Sequence, residues 1–257
     1  MKLFLITIFL ISFSAISACD CVVSSFDQHY QQSDFIAVAK ITNIDSSLHQ
    51  QDQRNIEIEI ITLYKGIAVT KLKIDNHLKT MCGIYTPLNS TWLIFANRNQ
   101  EGTLSFGYCS RSVQLDPTAN PYFDALAKSR FDSSMSRMLH VLDFLKEYQN
   151  TFTATTNVMV SENSWRDSSL KGYEEQAYNF AAYELAFEPG QTVNQIQTLK
   201  SFQNKQLTDT IKDRLKKAKI YPYPKNTKAD SPQKLLILFF FYAKEDTYPS
   251  FVSRYFH

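Results

Sequence analysis

The chain has 257 residues, with 27 basic and 25 acidic side chains and a formal charge of +2. So even a balance gives no electrostatic basis for gripping nucleic acid or an acidic membrane surface. Only 6 glycines and 8 prolines, with 14% aromatic residues, exclude collagen-like, low-complexity and disordered classes, and the length suits two domains.

Residues 1–18 read as a signal peptide: Lys2, an uncharged apolar run from Leu3 to Ile16, then the small residues Ser17 and Ala18. The run is shorter than the ~20 residues that span a bilayer. Cleavage after Ala18 makes Cys19 the first residue of the mature chain. The protein is then exported, to a periplasm, a cell surface or the extracellular space. Ile16-Ser17-Ala18-Cys19 also reads as a bacterial lipobox. In that alternative Cys19 carries a lipid through its sulfur and anchors the chain to a membrane. The four cysteines are Cys19, Cys21, Cys82 and Cys109. An even number in an exported domain predicts two disulfides. They would tie down an N-terminus that would otherwise fray.

Strands follow. Phe35 to Ala39, continuing into Ile41, is apolar with little alternation. Ile56, Ile58 and Ile60 alternate with Glu57 and Glu59, the pattern of a strand with one wet face. Tyr64-Lys65-Gly66 reads as a turn, and Val69 to Ile74 alternates again. Trp92 to Ala96 is a buried strand, and Asn97 to Gly102 forms a hairpin loop before Leu104 to Tyr108 returns. Several short strands with no long helix among them predict a small closed or partly open barrel.

Taken in order, Cys19-x-Cys21, Ser33-Asp34-Phe35-x-x-x-Ala39-Lys40-Ile41, Tyr64-Lys65-Gly66, Cys82-Gly83, Trp92 to Ala96 and Cys109-Ser110-Arg111-Ser112 resemble the netrin-like domain. More narrowly, residues 19–115 resemble the N-terminal domain of tissue inhibitors of metalloproteinases and its bacterial relatives. The resemblance implies a five-stranded OB-type barrel with Cys19 bonded to Cys82 and Cys21 to Cys109. It also implies that the mature Cys19 binds a protease's zinc in trans, through its α-amine and carbonyl, with Cys19, Asp20 and Cys21 meeting the protease. The residue after the first cysteine enters the protease's main specificity pocket in that family. Here it is Asp20, and a carboxylate costs several kcal/mol in an apolar pocket unless it is paired.

Other chemistry is sparse. His29, His49, His77, His140 and His257 are scattered, and no zinc-protease helix motif, nucleophile elbow or phosphate loop occurs. Glu57 and Glu59 share a solvated face. No catalytic residue and no cofactor are expected. Asn89-Ser90-Thr91 fits a glycosylation sequon, meaningful in a eukaryotic secretory path.

Leu115 to Pro121 is polar, carries two prolines and reads as a break. Residues 116–150 are assigned to this linker and a helix, Tyr122 to Tyr148, with an apolar stripe of Met135, Met138, Leu139, Leu142 and Leu145. Thr151 to Ser169 has few apolar residues, and the halves are expected to be separable near Pro117 to Ser169. Phe180–Phe187 and Val193–Leu199 read as paired strands around Pro189-Gly190-Gln191-Thr192. Gln206 to Lys219 is an amphipathic helix with Leu207, Ile211, Leu215 and Ala218 on its apolar edge. Tyr221-Pro222-Tyr223-Pro224 reads as the loop that ends it, and Leu235 to Tyr242 as a final, well-covered strand. Residues 178–243 resemble the C-terminal domain of TonB-type proteins in this order of elements.

The fold class expected is mainly β plus α+β: a netrin-like barrel over 19–115, then a helix and a small αβ domain over 151–257. The leading functional reading is an exported, non-enzymatic binding module with a disulfide-stapled N-terminal ridge and a protein partner. The alternative is an inhibitor whose partner is a zinc metalloprotease.

Overall fold

A computed structural model describes residues 21, 25–45, 53–75, 82–99, 101–116, 125–148, 158–160, 168–187, 193–222 and 233–254. The proposed signal peptide, Cys19, Asp20 and the Pro189–Thr192 turn lie outside the described residues.

A short helix, α1 (Phe26–Gln32), precedes the strands β1 (Phe35–Ile44), β2 (Gln53–Lys65), β3 (Lys71–Asp75), β4 (Thr91–Arg98), β5 (Leu104–Gly107) and β6 (Val113–Gln114). The sheet runs β1-β2-β3-β5-β4 and closes through a β1–β4 pairing, so five strands form the predicted barrel and β6 adds to β4. Closure rests on a parallel β3–β5 pair, with Ile74 opposite Phe106. Register shifts along the β1–β2 pair bend β1 around the barrel.

Alternation decides where each side chain goes. Phe35, Ala37, Ala39 and Ile41 of β1 point inward to Ile56, Ile58, Leu72, Ile74, Trp92, Ile94 and Phe106. Their neighbours Ile36 and Val38, with Leu93 and Phe95 of β4, point outward and are also buried. Both faces of β1 and β4 are therefore covered, which is why neither sequence alternates. On β2, Glu57 and Glu59 face away from the barrel interior, as alternation predicts.

After the barrel come α2 (Ala125–Leu145, ending in a 3₁₀ turn, Lys146–Tyr148), β7 (Val158–Val160), β8 (Phe180–Phe187), β9 (Val193–Lys200), α3 (Lys205–Lys217), β10 (Ile220–Pro222), β11 (Gln233–Tyr242) and β12 (Phe251–Ser253). The second sheet has the order β12-β11-β8-β9, and β10 pairs with β7 separately. Asn204 caps α3 by accepting the Leu207 N–H at 3.0 Å. Leu207, Ile211 and Leu215 pack under one face of this sheet, against Tyr183, Leu185, Ile237 and Phe239.

The other face of the second sheet meets the barrel. Phe180, Ala182, Leu236, Leu238 and Phe240 form one buried cluster with Met138, Val141, Leu142 and Leu145 of α2 and with Phe26, Tyr30, Ile36, Val38, Leu93 and Phe95. Residues of both halves thus contribute to one buried cluster. Two expectations are corrected. Leu235–Tyr242 is not the final strand, because β12 pairs beyond it at Phe240, Phe241 and Tyr242. Tyr221 and Pro222 do not end a helix as a loop. The helix stops at Lys217, and these residues pair with Met159 and Val158.

Candidate functional site

The ridge predicted from the cysteines begins, among the described residues, at Cys21. It is bonded to Cys109 with the two Cα atoms 5.4 Å apart. Cys82 is disulfide-bonded too. Cys19 and Asp20 lie outside the described residues.

The loop carrying Cys109 is held by its own sequence. Ser110 Oγ donates to the Gly107 carbonyl at 2.7 Å, and the Phe95 N–H donates to Ser112 Oγ at 2.9 Å. Between them Arg111 adopts a left-handed backbone, φ 64°. Its guanidinium lies 5.4 Å from the centre of the Phe26 ring, on α1. Gly107 sits tight against β3, where a Cβ would come within 2.8 Å of the Asp75 carbonyl oxygen.

Helix α1 follows Cys21 after three residues outside the description. Sequence reading missed it, although Ser25-x-x-Gln28 is a capping-box spacing. The Ser25 N–H donates to Gln28 Oε1 at 2.9 Å. At the far end the Lys65 ammonium donates to the Tyr30 and Gln31 carbonyls at 2.7 and 2.9 Å, the terminus where a cation suits the helix dipole. Tyr64-Lys65-Gly66 is thus a strand end plus a turn. Lys65 is buried there, and burial brings its pKa down to about 8 against the pull of Asp34. Gly66 makes the turn with φ +90°, and a Cβ there would lie 2.3 Å from the Asp34 carbonyl oxygen, so no other residue fits. Asp34 accepts the Arg98 N–H at 2.7 Å, which fixes the start of β1 against β4.

Three side chains of α1 reach the C-terminal half or its approach. The Tyr30 hydroxyl donates to the Leu145 carbonyl at 2.9 Å. Gln31 makes two bonds to one residue of β11: Nε2 donates to the Leu236 carbonyl at 3.2 Å, and the Leu236 N–H donates to Oε1 at 3.0 Å. Asp27 is fully buried, with Oδ2 3.3 Å from Nη2 of Arg254, itself 7% exposed. Burial raises the Asp27 pKa, opposed by the Arg254 charge. His29 is pushed down to about 4, first by burial and then by the charge of Arg111.

No group of three or more His, Cys, Asp or Glu side chains among the described residues is arranged to hold a metal. Glu57 pairs with Lys71 at 3.4 Å on an exposed face, as a solvated pair would. Among the described residues no helix is long and apolar enough to cross a membrane.

A closed OB-type barrel with its N-terminal segment bonded through Cys21 to a loop beyond its last barrel strand defines a disulfide-anchored, extracytoplasmic domain. Residues 17–119 match the family described as Tissue inhibitor of metalloproteinase, so this stretch is a domain of that family, whose members inhibit proteases and are not enzymes. No curated protein matches the chain. The reported family match stops at 119, and the comparisons lend no support to the TonB-like reading of residues 178–243.

Proposed function

We propose that the barrel is a metalloproteinase-inhibitor module that acts through a mature N-terminal ridge, Cys19-Asp20-Cys21. The observation that carries this reading is the family match over residues 17–119. The Cys21–Cys109 bridge supports it. Cys82 is disulfide-bonded as well, and the family resemblance makes Cys19 its partner. Tyr85 and Tyr108, 81% and 55% exposed, stand three residues after Cys82 and one before Cys109 and offer apolar surface there.

Removal of residues 1–18 frees the Cys19 α-amine. Such an amine has a pKa of ~7.7–8.0, and zinc displaces its remaining proton on binding. The amine and the carbonyl of Cys19 then chelate the protease's zinc. Asp20 directs the module to proteases whose pocket offers a cation, since an unpaired carboxylate is costly in an apolar one.

An inhibition assay with an alanine added before Cys19 tests the mechanism. The addition moves the amine by ~3.3–3.6 Å, against zinc–ligand bonds of ~2.0–2.2 Å, and should abolish inhibition. Undiminished inhibition by the extended protein would rule chelation out. Asp20→Thr should improve inhibition of an apolar-pocket protease and weaken it for a cationic-pocket one. Intact mass of the exported protein reports cleavage before Cys19. A lipid thioether on Cys19 would defeat both the Cys19–Cys82 pairing and the free amine. Failure of every version against several metalloproteases would favour the second reading, a binding module whose ridge is only a staple.

A further inference from the structure

We infer that the C-terminal half is a brace for the N-terminal ridge, and that Asp27, Gln31 and Arg254 are the positioning residues that transmit its hold. The proposal deepens the inhibitor reading in its consequence for binding, but its mechanical part stands without it.

The argument begins with what α1 lacks. It has seven residues, about two turns, and helices of that length are not stable on their own. Something outside it must fix it. Its capping box and Lys65 satisfy its ends. On the barrel side Phe26 meets Phe95 of β4 edge-on, with ring centres 6.1 Å apart. On the opposite side it is held by the second sheet. Gln31 bonds both backbone groups of Leu236, as a neighbouring strand would, between residues 205 apart in sequence. Asp27 meets Arg254, one residue past β12. Phe26 stacks edge-on to Phe240 of β11, with ring centres 6.2 Å apart.

The same helix is tied to the ridge. Phe26 takes the Arg111 guanidinium on its ring, and Arg111 is two residues past Cys109, which holds Cys21. Asp27 also attracts Arg111 electrostatically. Adjacent residues of α1 therefore hold a guanidinium from each half: Phe26 that of Arg111 in the cysteine loop, and Asp27 that of Arg254 just past β12. Cys21 is four residues before Ser25, so its Cα lies within ~14 Å of the start of α1. A shift of α1 is passed to the ridge both along the chain and through Arg111.

The test uses the full chain. Gln31→Met keeps the side-chain length but removes both bonds to Leu236. Arg254→Met removes the cation, and Arg254→Lys is the rescue. Hydrogen exchange is followed by peptide at residues 26–33, at 35–41 in the barrel and at 205–215 in α3. Alongside it, the rate at which a small thiol reduces Cys21–Cys109 is measured. The brace predicts at least tenfold faster exchange at 26–33 and several-fold faster reduction in both Met variants. Residues 35–41 and 205–215 should stay as protected as before, and Arg254→Lys should restore most of the effect. Unchanged exchange at 26–33 would overturn the proposal. So would equal acceleration at all three sites, which is the mark of general destabilisation. If a variant fails to fold, the other variant carries the test, because the two remove different bonds. Where a metalloprotease is inhibited, both Met variants should weaken inhibition. An exchange change with no inhibition by any form would retain the brace and discard the inhibitor reading.

Discussion

The barrel interior and the seam between the barrel and the second sheet are both buried, yet they are made of different residues. Inside the barrel lie Phe35, Ile41, Ile56, Ile74, Ile94 and Phe106, and none of the charged side chains buried among the described residues stands with them. Along the seam the apolar side chains of Phe95, Leu142, Phe180 and Leu238 are interleaved with buried Asp27, Gln31, Lys65, Arg137 and Arg254. Arg137 of α2 shows the pattern: its guanidinium donates to the Phe241 carbonyl at 2.7 Å and lies 4.6 Å from the centre of the Tyr242 ring. Apolar contacts are tolerant of sliding, whereas a buried charge must find its partner or cost several kcal/mol. The barrel interior supplies stability, and the seam adds a fixed register between the halves.

The comparison predicts first that the seam couples the halves. Phe240→Ala should cost about 3–5 kcal/mol and should lower the denaturation midpoints of both halves together, read by peptide-resolved hydrogen exchange through the transition. Loss of protection in β8 and β11 alone would break the comparison. The second test removes the staple. Cys21→Ala with Cys109→Ala opens a bridge spanning 88 residues, at a cost of about 2–5 kcal/mol. All four cysteines lie before residue 110. A sheet that needed nothing from the barrel would keep its own midpoint, while a shared core moves with it.

The third prediction concerns acid. The pKa of His29 in the folded state, about 4, is below its ordinary value of 6.5. As pH falls, the unfolded chain takes up that proton first. Stability from this group is complete above about pH 6.5 and is lost towards pH 4, by at most about 3 kcal/mol. Asp27 works the other way, because its raised pKa makes the folded state the better proton binder at low pH. In urea titrations from pH 7 to 4, His29→Gln should flatten the fall or reverse it. An unchanged slope would mean that His29 is not held neutral. The smallest effect is expected away from both regions. The exposed Lys128–Asp132 pair on α2 should matter by about 0.5 kcal/mol or less, so Lys128→Ala should leave the urea midpoint almost unmoved.

Much of the barrel was legible because its signals are local. Glu57 and Glu59 alternate with isoleucines, and Cys21 and Cys109 are joined as the family resemblance implies. The unbroken apolar runs of β1, β4, β8 and β11 also carried information, since a strand without alternation is covered on both faces. They did not say that the barrel and the second sheet cover each other. Helix α1 escaped notice because seven residues are too few for a helical period to stand out. β10 and β12, with three residues each, carry no pattern at all. Lys65 was misread as part of a turn because lysine is seldom buried. Its place was set by the carbonyls at the end of a helix that had not been recognised. Asp27, Gln31 and Arg254 were invisible for a similar reason, as their partners lie 205 and 227 residues away.

The bonds between Gln31 and Leu236 also bear on how the chain avoids aggregating as it is made. Leu235 to Tyr242 is eight residues without a charge or proline, four of them aromatic. Such a segment with an open edge is a seed for cross-strand stacking between copies. β12 protects that edge only from Phe240 onward. Further back, the Gln31 side chain occupies the groups that an incoming strand would use. Synthesis runs from the N-terminus, so the residues of α1, Gln31 among them, have been made before β11 emerges. The first half of the protein is in place to shield the most aggregation-prone stretch of the second, and a C-terminal fragment made alone would lose that shield.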